Sequence, residues 1–187
     1  MTDGATPAAS GPGYLPGTDM PRFIRDMMAF VGLGDDDLAA IRRSAPVVLR
    51  HEPRLTTALY DHFLTFPRSA KFFLREDGQV DAPRLERRKH SLGRWLRESA
   101  EAALTREFSY YLLSVGLAHG HRSQATGAIP PHLMIGAMSL AQTALAGVFA
   151  GELSREDAAA ATAAWNKLLL VQLSVLMLAY VPPRPVL

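Results

Sequence analysis

The sequence predicts an all-α fold, and three observations carry that prediction. Apolar residues recur at helical spacing from Asp19 to Tyr180. No stretch shows sustained two-residue alternation rich in Val, Ile and Thr, so no sheet is expected. Start and stop signals punctuate the chain so as to leave about eight helices, without an internal repeat. A chain of 187 residues suits one domain with a substantial core.

Residues 1–18 form an N-terminal extension rich in Gly, Pro, Ala, Ser and Thr, and the first ten read as disordered. The stretch Pro12-Gly13-Tyr14-Leu15-Pro16-Gly17 sets one tyrosine among turn formers. Two readings stay open: the ring packs on the body, or it sits in a loose tail. Thr18 or Asp19 caps a first helix carrying Phe23, Ile24, Met27 and Phe30, and Gly32 and Gly34 end it. Asp35, Asp36 and Asp37 favour the next helix start electrostatically. Leu38, Ile41, Ala45, Val48 and Leu49 follow, with Pro46 expected to kink or break that helix.

A third helix is expected from Pro53. Leu55, Leu59, His62, Phe63 and Phe66 make its stripe, Tyr60 lies on the flank, and Pro67 ends it. Ser69 to Leu74 reads as a short helical piece and Glu76-Asp77-Gly78 as a turn. A long helix spans about Ala82 to Leu104, with Leu85, Leu92, Trp95, Leu96 and Ala100 on its apolar side. Its other side carries Arg84, Arg87, Arg88, Lys89, Arg94 and Arg97, mostly a solvated face. Thr105 to about His121 is the next helix, followed by a polar loop containing Gly127. Pro130 opens a helix to about Ala150, ended by Gly151. Ser154 and Asp157 form a capping-box pattern for the last helix, which runs to about Tyr180. The globular domain is thus expected over 19–181, with a Pro-rich tail at 182–187.

Composition removes several function classes. There is no cysteine, so disulfides, zinc-thiolate sites, iron–sulfur clusters and thiol catalysis are excluded. A net charge of +2 is too small to predict nucleic-acid binding. No basic region followed by an apolar core marks a secretory signal. The most apolar run, Leu168 to Tyr180, is 13 residues long, short of the about 20 needed to span a bilayer. A cytoplasmic protein without a membrane span is the expectation.

Six histidines are present, and none forms HExxH or an i, i+4 pair. His119 and His121 would point about 200° apart on a helix, which disfavours a shared metal. Nucleophile-elbow and phosphate-loop patterns are absent, and turn and cap positions account for the carboxylates, so no catalytic residue is assigned. A haem site asks for less. It needs one neutral imidazole, an apolar slot between helices, and a distal group that governs the ligand. His119, late in a tyrosine-rich helix, can supply the imidazole. Tyr60 can supply the distal group, because a phenol donates a hydrogen bond to bound oxygen. Either residue taken singly also fits an ordinary structural role.

The combination resembles the protoglobins and the haem domains of globin-coupled sensors. Pro12-Gly13-Tyr14 with Gly17 looks like the protoglobin N-terminal extension. Leu59-Tyr60-Asp61-His62-Phe63 resembles the helix with the distal tyrosine, and Leu92-Gly93-Arg94-Trp95-Leu96 resembles the distal helix across from it. Val115-Gly116-Leu117-Ala118-His119 resembles the proximal helix, and Ile129-Pro130-Pro131 with Ala137 and Met138 the start of the next.

The resemblance implies a globin-like helical sandwich with an extra N-terminal helix. It implies haem b ligated by His119, reversible binding of O₂, CO and NO, and a homodimer built on the last two long helices. The broad apolar surfaces of those helices agree with a dimer independently. Tyr60, Leu59, Phe63, Leu92, Val115 and Met138 would line the haem, and Tyr14 with its loop would cover its edge. The free ring nitrogen of His119 should donate to a nearby carbonyl or side chain. Leu59, Leu92 and Met138 stand where the family often carries aromatic rings, which predicts a softer pocket. Arg88 or Lys89, in a run that replaces a more apolar entry, could reach a haem propionate.

A gas-binding or sensing module is the first functional reading. No signalling segment follows the last helix, so output would pass through a separate partner. A haem enzyme acting on NO or peroxide is the rival, and it would need an external electron donor. A cofactor-free helical interaction domain is the third.

Overall fold

The computed structural model describes residues 13–101, 104–120, 127–181 and 184–186. Seven α-helices appear among them: α1 Met20–Val31, α2 Asp35–Thr65, α3 Pro67–Ala70, α4 Ala82–Ala100, α5 Arg106–Gly120, α6 Pro131–Glu152 and α7 Arg155–Met177. A 3₁₀ turn, Lys71–Phe73, follows α3. The described residues contain no strand, only the isolated bridges Tyr14–Val186 and Leu74–Val80. The expected disorder of the first ten residues, His121, most of the loop before Gly127 and the Pro182-Pro183 stop lie outside the described residues.

Local chemistry sets the helix ends. The Asp19 carboxylate accepts from the Arg22 N–H to cap α1, and Gly32 closes it at φ 66°, where a side chain would be strained. Asp81 caps α4 in the same way. Ser154 accepts from the Asp157 N–H and donates to its carboxylate at the start of α7.

Five boundaries or faces differ from the sequence expectation, one being the end of α4 at Ala100 rather than about Leu104. Helix α2 runs unbroken through Pro46 and Pro53, where a kink and a new helix were expected. Each proline removes a bond to the carbonyl four residues earlier. Both prolines are exposed, as are Arg42 and Leu49, which own those carbonyls, so water can satisfy them. Buried Ile41, Val47, Val48, Leu55 and Leu59 hold the helix in line from the core side. Helix α6 passes through Gly151 and ends at Glu152. Helix α7 ends at Met177, and Leu178–Tyr180 turn away. Phe30 is 84% exposed. The core face of α1 is held by Met20, Ile24 and Val31, and Phe30 lies about 100° around the helix from Val31.

Helix α7 is the centre of the fold. It packs on α6, α2, α5 and α1, while α2 also crosses α4 and α6. Trp165, Leu168, Leu169, Val171, Gln172 and Val175 are essentially buried. Two of its contacts are polar. The Trp165 indole donates to Ser44 Oγ on α2 at 2.9 Å. Gln172, wholly buried, accepts from the Trp95 indole at 2.7 Å, and its amide donates to Ser99 Oγ at 3.0 Å. A satisfied buried amide of this kind fixes α4 against α7 in one register. Lys167 donates to the Asp37 carboxylate and the Gly32 carbonyl, locking α7 to the α1–α2 corner.

By length and composition alone α6 and α7 could each cross a membrane, a test that the run from Leu168 to Tyr180 does not reveal for α6. Half of the most apolar window of α7 is buried inside the molecule, but only 22% of that of α6.

Candidate functional site

Tyr60 sits on α2 with 8% of its surface exposed. Its ring meets Phe63 edge-on at 5.6 Å and Phe73 edge-on at 5.4 Å, and Phe63 and Phe73 stack on each other. Leu59 beside it is buried, and Leu92 on α4 is half-buried. Leu59 and Tyr60 stand apart from the contiguous main core, whereas Val115 and Met138 belong to its margin and its interior. Burial raises the Tyr60 hydroxyl to about 12, partly opposed by the positive charge of Arg88. The phenol is therefore protonated at neutral pH and able to donate, and no protein acceptor engages it among the described residues.

His119 lies in the last turn of α5, half-buried. Its Nδ1 is 2.6 Å from the Val115 carbonyl oxygen, one turn earlier. A carbonyl can only accept, so Nδ1 carries the proton and Nε2 keeps its lone pair. Burial lowers the imidazole pKa, the Val115 bond opposes that, and Arg88 lowers it further. The result is a neutral, oriented imidazole, which is the form that ligates a metal. The Ile129 N–H donates to the His119 carbonyl at 2.8 Å, so the chain beyond the loop returns to this residue.

Two glycines let the framework close. A Cβ at Gly116 would meet the Leu176 carbonyl oxygen at 2.6 Å, so α5 sits on α7 at near-backbone contact. At Gly93 a Cβ would collide with the Glu52 carboxylate, which reaches across α4 to the Arg97 guanidinium at 2.8 Å. The small residue permits the α2–α4 crossing that carries Tyr60 and Leu92.

Helix α5 packs on α7 and α1, and α4 packs on α2. Between α4 and α5 packing is slight, and the Arg94 guanidinium 4.9 Å from the Tyr111 ring centroid is their defined contact. Tyr60 on α2 and His119 on α5 thus belong to different packed groups of helices, with α4 beside the first. This donor set fits a haem: a neutral nitrogen ligand, an apolar lining and a hydrogen-bond donor. Among the described residues no group of three or more His, Asp or Glu could hold a bare metal ion.

Tyr14 occupies a different place from the lining residues. Its hydroxyl donates to Asp26 at 2.6 Å, its ring lies under Arg22 at 4.2 Å, and its backbone pairs with Val186. The ring therefore packs on the body, against α1 and the C-terminal tail. Lys89 is paired with Glu86 at 3.1 Å. Sequence reasoning missed Phe73, although Phe72-Phe73 in the short helical piece was a signal. It also missed Tyr180, whose buried hydroxyl has no partner among the described residues and whose ring lies beside Gly120.

Two grooves lie outside this site. One of about 770 Å³ runs between α6 and α7, lined by Ala146, Ala150, Ala159, Ala163 and Phe149 among others. The second, about 360 Å³, lies between α2 and α6, where Glu152 bridges Arg50 and His51.

No curated protein matches the chain. Among solved structures it is similar to the globin domain of a Geobacter sulfurreducens globin-coupled sensor. That match has a TM-score of 0.70 and 18% identity, and it covers 83% of this chain and 96% of that one. It is also similar to the ferrous globin domain of E. coli DosC, with a TM-score of 0.67, 15% identity, and 83% and 97% covered. These likenesses show a globin fold. The Protoglobin family model matches residues 21–184, and with that match the chain belongs to the protoglobin family.

Proposed function

We propose that this protein binds haem b and through it binds O₂, CO and NO reversibly, as a gas-binding or sensing globin. The single observation that carries the reading is the His119 Nδ1–Val115 bond, which leaves the Nε2 lone pair available to a metal. Haem supplies an iron that takes up a diatomic ligand. The chain supplies the rest. His119 would hold the iron. Leu59, Phe63, Leu92, Val115 and Met138 would exclude water. The Tyr60 hydroxyl would donate to the ligand. Tyr14, tied to Asp26 and Arg22 on α1, would brace that helix rather than line the cofactor.

The protein acts as a homodimer through α6 and α7. Support comes from the mostly uncovered apolar face of α6 and from the alanine-lined groove beside it, which lets a partner helix approach closely.

An absorption spectrum tests the cofactor reading. Ferric protein, then reduced protein with and without CO, should show a Soret band that shifts with CO. His119→Ala should lose or alter that band. A colourless protein that takes up no added haemin would overturn the reading.

A further inference from the structure

Gln172 is the only buried side-chain amide among the described residues, and its neighbours on α7 are apolar: Leu168, Leu169, Val171, Val175 and Leu176. An amide in such surroundings costs folding free energy unless its polar atoms find partners. Here the partners close a ring. The Trp95 indole donates to Gln172 Oε1 at 2.7 Å, Gln172 Nε2 donates to Ser99 Oγ at 3.0 Å, and the Ser99 hydroxyl donates to the Trp95 carbonyl at 2.7 Å. Turned the other way, the amide would set one N–H against another at Trp95, so the ring has a single polarity.

The ring lies where α4 has no other close support. Trp95 and Ser99 stand one turn apart on one face of α4. Gly93, where α2 packs, is about 200° around the helix from Trp95. Packing on α2 therefore fixes one side of α4, and the ring fixes the other. The backbones of α4 and α7 hardly approach each other, so side chains must span the gap. Helix α5 meets α7 differently. Gly116 lets it rest on the Leu176 carbonyl, and Gly120 comes close to that of Ala179. Residues 172 and 176 share one face of α7, about 6 Å apart along its axis. Helices α4 and α5 pack only slightly on each other, so both are referenced to α7. Leu92 stands one turn before Trp95, and His119 lies three residues past Gly116.

We infer that Gln172 is a positioning residue for the candidate haem site: held between Trp95 and Ser99, it fixes the stance of α4 relative to α5, and with it the Leu92 side of the ligand pocket. The inference rests on the haem reading above. An apolar residue of similar volume would fill the space and let α4 slide, because dispersion contacts tolerate a shift that directed bonds do not.

The test compares three haem-loaded variants with wild type. Gln172→Met nearly conserves volume and removes the amide. Trp95→Phe removes the donor from the other end of the same bond. Ser44→Ala breaks the buried Trp165 bond between α7 and α2, and so lowers stability away from α4. CO association is followed after flash photolysis, and the Trp95 indole proton by magnetic resonance, assigned by its loss in Trp95→Phe. Gln172→Met and Trp95→Phe should each speed CO association about threefold or more, and the double variant should do no more than either alone. In Gln172→Met the Trp95 indole proton should shift and exchange faster with solvent, with or without haem. Ser44→Ala should keep CO association within about twofold of wild type despite a lower melting temperature. A wild-type CO rate in Gln172→Met overturns the inference. An equal change in Ser44→Ala overturns it too, since the amide would then act through stability alone, as does a double variant whose effects add. A wild-type chain without a Soret band after haemin addition is the separate failure of the haem reading, and overturns the inference with it.

Discussion

A Cβ placed on Gly116 would stand 2.6 Å from the carbonyl oxygen of Leu176, so the helix that bears His119 rests on the backbone of α7. The obstacle is main chain and cannot swing away. Gly116→Ala should push α5 off α7 and cost about 1–3 kcal/mol. Because His119 is three residues on, haem retention should fall with it. Thermal melts and haem-transfer rates measure the two effects together, and wild-type values for both would show that α5 has room to spare.

Tyr60→Phe keeps the ring contacts with Phe63 and Phe73 and deletes the donor. Oxygen dissociation should quicken by about 1–2 kcal/mol worth of hydrogen bond, or roughly five- to thirtyfold. CO dissociation, less dependent on a donor, should change less. Stopped-flow ligand replacement reads both rates. An unchanged oxygen off-rate would remove Tyr60 from ligand control.

The Asp37–Lys167 pair makes stability depend on pH. Burial raises the Asp37 pKa, but the Lys167 hydrogen bond, the Gly34 N–H and the Lys167 charge outweigh it and leave the carboxyl below its ordinary value. A carboxyl depressed in the folded state stabilises above its unfolded pKa, and that contribution is lost as pH falls through the folded value. Asp37→Asn should therefore lower stability at neutral pH by about 1 kcal/mol or less, with a correspondingly lower melting temperature, and the gap to wild type should close in acid. Melting curves from neutral pH down to the carboxylate range decide it, and a gap that persists in acid would mean another cause.

Ala163 is exposed on α7 within the alanine-lined groove. Ala163→Glu puts a charge there without touching the core. The expected outcome is a monomer of wild-type helicity by light scattering and circular dichroism. A dimer that survives the change would move the interface elsewhere.

Much of the fold was legible because helix signals are local. Asp19, Gly32 and Ser154 announce their caps in the sequence, and the structure places each there. The continuity of α2 was not legible. Whether a proline breaks a helix depends on which side it faces, and only packing tells that. The site divides in the same way. His119 and Tyr60 stood out by type and by resemblance. Arg88 was picked out only together with Lys89, as a residue that could reach a propionate, because six basic residues on one helix look alike until their carboxylates are located. Glu86 and Glu98 are helix neighbours of their partners and could be read from spacing. Glu52 comes from another helix and could not.

The bond from the Ile129 N–H to the His119 carbonyl has a mechanical meaning. It fastens the exit of one helix to the threshold of the next, so a tug on the imidazole need not travel through the loop between them. It passes across one peptide bond and two prolines to the head of α6, the helix whose outer face the rest of the chain leaves bare. His119 and the head of α6 are thereby joined through one backbone hydrogen bond, independent of the side chains around it.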